Sequence, residues 1–243
     1  MGHALSTIPI YPTPSRHHPH RRRILFVQSA RRCLHRAIRE HRQRLDLQLC
    51  SHIAWGAGPQ RVSHGSAALW EPFLMVYENQ LVCFFSDSRD PAHSQKLSYA
   101  TSSDLLTWSD AANTVAYTTY KDRPGMATVA YTPPTENYII TYEYCGVEGC
   151  GITYRLSLSP LTFGAAADKV VSPANTDPPS LGGNPYVFWT EHPDRTDGSI
   201  LLIPSTGSWE EVFVNDDVAG RRHGGGDVVC VFEGAKYQEA PVR

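Results

Sequence analysis

From about residue 66 the chain alternates short β-branched and aromatic runs with clusters of Pro, Gly, Asp and Asn, a pattern that predicts an all-β fold. The runs come in pairs. Pro72–Tyr77 is followed by a turn and Gln80–Phe85; Pro124–Tyr131 by a Pro-Pro turn and Tyr138–Tyr142; Asn184–Trp189 by a turn at His192–Gly198 and Ser199–Ile203. Each pair opens near a proline, which is expected at a strand's first positions, where a missing N–H is tolerated.

Behind the first two pairs lies a repeat. Leu97-Ser98-Tyr99-Ala100-Thr101-Ser102 leads to Leu106-Thr107-Trp108, and Ile152-Thr153-Tyr154-Arg155-Leu156-Ser157 leads to Leu161-Thr162-Phe163, offset by 55 at every matched position. Four strands in about fifty residues is the arithmetic of a propeller blade, whereas a sandwich has no reason to repeat at a fixed offset. Ser102–Trp108 is similar to the Asp-box turns that join the outer strands of sialidase-type blades. In such a turn the Asp and Ser bond the local backbone and the Trp packs between blades.

The first fifty residues are different. They carry ten of the 22 Lys and Arg but only two acids, Glu40 and Asp46, a formal charge of +8 against −10 for the remaining 193 residues. Residues 1–50 are therefore expected to form a basic, disordered or partly helical segment, with Leu34, Ile38 and Leu45 at roughly helical spacing, and 51–243 the propeller. No aromatics interleave with the arginines and no ligand spacing fits zinc, so neither nucleic acid, membrane, metal nor cofactor is expected. Only Ile24–Val27 follow Arg21–Arg23 as apolar residues, too few for a secretory signal, and no run is long enough for a transmembrane helix.

Candidate chemistry follows from blade topology. Hairpin-connected strands alternate in direction, so the start of the first strand, the end of the second and the following loop share one face. That face collects Glu71, Asp87, Arg89, Asp90, His93, Arg123, Tyr142, Glu143, Tyr144 and Asn184. Two carboxylates among arginines and tyrosines suit a sugar: one carboxyl donates a proton while the other attacks or activates water. Arg89 and Arg123 could orient groups, and Tyr142 and Tyr144 could stack on a ring. The loop Asp87–Pro91 could equally be closed by its own ion pairs.

The ordered set Trp70-Glu71-Pro72-Phe73-Leu74, Phe85-Ser86-Asp87-Ser88-Arg89-Asp90-Pro91, Gln95-Lys96-Leu97, Arg123-Pro124-Gly125-Met126 and Tyr142-Glu143-Tyr144 resembles glycoside hydrolase family 93 over about residues 55–215. These are fungal exo-α-1,5-L-arabinanases with a six-bladed, sialidase-like propeller. The resemblance implies a retaining mechanism with Glu71 and Glu143 as the catalytic pair, and substrate contacts from Asp87, Arg89, Asp90, Arg123, Tyr142, Tyr144 and Asn184. It implies an arabinan substrate in plant cell-wall pectin, release of arabinobiose, a secreted enzyme and a monomer. Flanking tyrosines would partly desolvate Glu143 and suit it as the acid, leaving Glu71 as nucleophile. The alternative is a non-catalytic or degenerate glycan-binding propeller. Six blades need roughly 300 residues at about fifty each, so this chain is expected to be incomplete. Cys145 and Cys150 flank the loop after Glu143, either as a local disulfide or as two thiols.

Overall fold

The structure is a computed structural model, and it describes residues 24–25, 32–39, 48–57, 67–146, 149–173, 183–192, 195–205, 211–215 and 231–236. The chain divides into two compact units, Met1–Asp122 and Arg123–Arg243.

The first unit opens with a three-stranded antiparallel sheet of β1 (Ile24–Leu25), β2 (Arg32–Arg39) and β3 (Gln48–Ala57). This corrects the partly helical expectation for the basic segment. Leu34 and Ile38 are four apart, a spacing that satisfies a helical stripe and also places both on one face of a strand. Pairing with β3, Leu34 against Trp55 and Ile38 against Leu49, selects the strand. β3 runs through residue 50, where the change in composition lies. Residues 1–23, with their histidine cluster, and Leu45 lie outside the described residues.

Next come β4 (Leu69–Tyr77), β5 (Gln80–Asp87), β6 (Lys96–Ser102) and β7 (Ala112–Val115), in one antiparallel sheet ordered β4-β5-β6-β7. Ile53 of β3 packs with Leu69, Leu74, Leu81, Cys83, Phe85 and Ala100, and Trp108 borders that cluster. The turn after β6 behaves as its sequence requires. Asp104 Oδ1 accepts from the Leu106 and Thr107 backbone N–H groups, each at 2.8 Å, and Ser102 Oγ accepts from Leu105 N–H at 2.8 Å. The bonds to Asp104 lower its carboxyl from 3.8 to about 2, the backbone donors of Thr107 and Leu106 being the main cause. Trp108 Nε1 donates to Ser51 Oγ at 2.8 Å, and Ser51 Oγ donates to the Leu105 carbonyl at 2.7 Å. The indole and its turn are thus tied to β3.

The second unit holds β8 (Arg123–Thr132), β9 (Asn137–Gly146), β10 (Gly149–Ser157) and β11 (Lys169–Val170), again a four-stranded antiparallel meander. Here Ser159 stands where the 55-residue offset would place Asp104. Ser159 Oγ accepts from Leu161 N–H at 3.3 Å, and Phe163 is buried in the tryptophan's position.

The last sheet is built from β13 (Gly183–His192), β14 (Arg195–Ser205), β15 (Glu211–Asn215) and β16 (Val231–Lys236), with β12 (Ser172–Pro173) parallel to β16 at its edge. The turn expected at His192–Gly198 is shorter, because both strands extend into it, leaving 193–194 outside the described residues. Of the strand expected at Val228–Phe232, Val231 and Phe232 lie in β16, which runs on to Lys236, and 228–230 lie outside the described residues. Ile139, Ile152 and Tyr154 of the second meander pack against Val187, Ile200, Leu202 and Phe213 of this sheet. Among the described residues no helix is long and apolar enough to cross a membrane.

Candidate active site

The first strand of every meander carries the same irregularity. The ladder skips between Trp70 and Phe73, between Gly125 and Thr128, and between Gly183 and Tyr186. Two residues oppose one in each gap, which defines a β-bulge. The first bulged residue is left-handed in all three: Glu71 at φ 51°, Met126 at 55° and Asn184 at 53°. A non-glycine residue there costs of order 1–3 kcal/mol and persists only where surrounding structure imposes it. Pro72 and Pro185 occupy the second bulged position, where the ladder needs no donor, rather than the strand starts expected for them. Pro124 lies one residue before Gly125, opposite Tyr144.

Glu71 is therefore presented by a bend in the backbone, and Ser86 Oγ on the neighbouring strand donates to its Oε2 at 2.8 Å. Glu143 is presented differently. It sits in the regular part of β9, paired with Gly125 on one side and Ile152 on the other, and is half-buried. Its Oε2 receives the backbone N–H of Asn184 at 3.3 Å, so the bulge of β13 reaches across to it. A Cβ on Gly183 would lie 1.8 Å from that same oxygen, so the carboxylate occupies space that only a glycine leaves free. Its Oε1 lies 3.0 Å from Cys145 Sγ. Cys145 is bonded to Cys150, so this sulfur has no proton to give and the approach is a contact. The disulfide alternative is the one present.

The remaining expected residues separate into two groups. Strand alternation puts Tyr142 and Tyr144 on the face opposite Glu143. Tyr142 is fully buried, and its hydroxyl donates to Asp168 Oδ1 at 2.5 Å. Asp168 also receives Arg155 Nε, and Arg155 Nη1 donates to the Phe163 carbonyl at 3.1 Å. This corrects the expectations that Tyr142 stacks on a sugar and that it flanks Glu143; it belongs to a network joining β9, β10 and the segment before β11. Nothing in the repeat pointed to Asp168, which lies beyond the matched residues.

Asp87 is 3% exposed and is held by Arg89 through backbone N–H at 3.0 Å, Nε at 2.8 Å and Nη2 at 2.6 Å. Burial pushes its carboxyl up, but the Arg89 bonds and the charges of Arg89 and Lys96 outweigh this and hold it below the usual range. Arg89 Nη1 also donates to the Trp55 carbonyl at 3.1 Å. Asp90 receives Lys96 Nζ at 2.7 Å and the Ala92 N–H at 3.0 Å, with His93 at 4.0 Å. The Lys96 bond is the chief reason its carboxyl is also lowered. The loop is thus closed by its own ion pairs. Arg123 pairs with Cys145, on the same face as Glu143 by register, while Tyr144 is half-buried and Asn184 exposed.

Four-stranded antiparallel meanders with a shared inner bulge and an Asp-box-like outer turn define an all-β fold of the propeller type. Solved structures similar to it include two glycosidases. The family 93 α-L-arabinofuranosidase of Fusarium graminearum, in complex with arabinobiose, is 29% identical with a TM-score of 0.72 over 88% of this chain. The α-L-arabinanase of Penicillium chrysogenum, also complexed with arabinobiose, is 26% identical with a TM-score of 0.72 over 89% of it. This chain covers 58% of the length of each. No protein-family model and none of the curated proteins matches the chain.

Proposed function

We propose that the chain belongs to glycoside hydrolase family 93 and comes from a retaining, exo-acting enzyme. The enzyme cleaves α-1,5-linked L-arabinan of plant cell-wall pectin and releases arabinobiose. The observation that carries this reading is the likeness, over 88% of the chain, to an arabinobiose complex of that family. Two glutamates in imposed positions supply the chemistry. Glu71 on its strained bulge is the nucleophile, oriented by the Ser86 hydroxyl. Glu143, fixed by the Asn184 amide, is the acid and then the base. In the first step Glu71 attacks the anomeric carbon while Glu143 protonates the departing oxygen. In the second, Glu143 takes a proton from the water that releases the sugar. The family resemblance would further have Arg123, Asn184, Asp87, Arg89 and Asp90 contact the substrate. The glycosidase fold is assigned from β3, which begins at Gln48 rather than at the expected boundary of 51, onward, acting as a secreted monomer without a cofactor. The Cys145–Cys150 bond agrees with an oxidising compartment.

Product analysis on linear arabinan tests this. Glu71→Gln and Glu143→Gln should each lower the rate by about 100- to 10,000-fold. Azide should rescue Glu71→Ala to a product of inverted configuration; a retained product would exchange the two roles. Binding of arabinan without any cleavage by the wild-type chain would favour the glycan-binding alternative.

A further inference from the structure

The contacts along β3 show where it ends. Ser51, near its start, is bonded to Leu105 and Trp108 at the Asp104 turn. Near its end, the Trp55 carbonyl accepts Arg89 Nη1 at 3.1 Å. A Cβ on Gly56 would lie 2.9 Å from the Ala67 carbonyl oxygen and 2.9 Å from Leu69 Cγ, so β3 closes tightly on the head of β4. This end of β3 therefore lies at the end of the sheet that carries Glu71, Ser86 and the Asp87–Arg89 loop. Trp55 is 51% exposed there, the one exposed tryptophan among the described residues. Isolated apolar side chains on a surface carry no message of their own. What sets Trp55 apart is that its ring is braced. In the pairing of β2 with β3, Leu34 faces Trp55 and Arg36 faces His52, so Ile53 and Ala54 together oppose His35. That bulge lets residues three apart share a face. Ile53 turns into the core, and the rings of His52 and Trp55 stack with centroids 4.7 Å apart and planes 25° apart. With an imidazole against it and its own carbonyl held by Arg89, the indole keeps one orientation before anything binds.

We propose that Trp55, backed by His52, is a stacking platform that binds an arabinofuranose unit of the arabinan chain other than the unit Glu71 attacks. The choice of sugar rests on the function proposed above. A furanose ring presents C–H groups on its faces and hydroxyls at its rim. The electron-rich face of an indole attracts the former and leaves the latter in water. Glu71 is carried by β4 and Trp55 by β3, so an extended chain meets the two through different units. The platform therefore sets a preference for chain length. It adds affinity for a long chain and none for a substrate too short to reach it.

The test is hydrolysis of a ladder of linear arabino-oligosaccharides, from arabinotriose upward, by the full chain and its Trp55→Ala and Trp55→Phe variants. Contacts made equally in the ground and transition states act on KM and not on kcat. Trp55→Ala should therefore raise KM for the long members by about tenfold, the scale of one aromatic stacking contact, with kcat little changed. The effect should fade toward the shortest member, and Trp55→Phe should recover most of the loss. Leu158→Ala, which trims an exposed side chain on the turn after β10, should change nothing. A folded Trp55→Ala protein with an unchanged KM at every length overturns the proposal. So does an equal loss at every length with a lowered Tm, which is what a merely structural tryptophan gives. A second measurement needs no variant. Arabinohexaose should protect Trp55 of the wild type from oxidation by N-bromosuccinimide, read by peptide mass spectrometry, and oxidation at an unchanged rate overturns the proposal. Protection of Trp55 in a chain that cleaves no arabinan would leave the platform standing and refute the catalytic reading; cleavage without protection would do the reverse.

Discussion

Gly183→Ala is the sharpest test of how Glu143 is held. The added methyl would start 1.8 Å from Oε2 and 2.8 Å from Cδ, against 3.5 Å from Cγ. Contact therefore falls on the carboxylate, which must retreat by about 1 Å, a misplacement that costs about 100-fold in rate when it occurs at a reacting group. The same retreat breaks the Asn184 N–H bond, now 3.3 Å long. The fold should barely notice. Glu143 is half-buried at the end of a flexible side chain, so stability should change by less than about 1 kcal/mol. Gly151→Ala is the matched control, in a strand of the same unit with nothing within 4 Å of the new methyl. The assay is kcat/KM on linear arabinan beside a melting curve. Gly183→Ala should lose about two orders of magnitude at nearly constant Tm, and Gly151→Ala should lose neither. Wild-type kcat/KM in a folded Gly183→Ala protein would refute the reasoning, and with it either the position or the role of Glu143.

Three further outcomes follow from contacts that bear on stability. Tyr142→Phe removes the hydroxyl that donates to Asp168 and should cost about 1.5 kcal/mol, several degrees of Tm, with little effect on substrate binding. Trp108→Phe frees the indole's place on Ser51 and should cost about 1 kcal/mol, read in a denaturant titration; a smaller effect than that of an exposed control would mean the turn is not anchored to β3. Asp104 stabilises the fold through its charged form. Its contribution is complete above the ordinary value of 3.8 and is lost as pH falls toward about 2. The Tm gap between wild type and Asp104→Ala should therefore close across that window, and a gap independent of pH would show that the charge contributes nothing.

The repeat was legible because the third strands of the first two meanders end at matched positions, Ser102 and Ser157, and the outer turns after them keep one length, so one offset of 55 aligns Leu97–Trp108 with Ile152–Phe163. Glu71 and Glu143 were legible as the candidate carboxylates, although Glu143, expected at a strand end, has β9 run on past it to Gly146. Their settings were not. Left-handed backbone is signalled by Gly or Asn, and two of the three bulges put Glu and Met there, so only Asn184 hinted at the conformation. Leu34 and Ile38 misled because a spacing of four fits two periods, and pairing with the next strand, β3, decides between them. Tyr142 misled because a tyrosine beside Glu143 looks wet at strand level. Its burial depends on Asp168 and Arg155, which come from other parts of the meander. The Asp87–Arg89 closure was one of two readings of the loop, and three donors from a single arginine settle it.

The recurring bulge separates mounting from cargo. One backbone device, repeated at the head of successive sheets, holds a glutamate, a methionine and an asparagine in the same left-handed pose. The ladder registers the pose and is indifferent to what hangs from it. A duplicated sheet therefore inherits a ready-made fixture aimed at the same relative place, and a single codon change decides whether that fixture carries an acid, an amide or a thioether. New chemistry in such a fold needs no new geometry, only a different occupant.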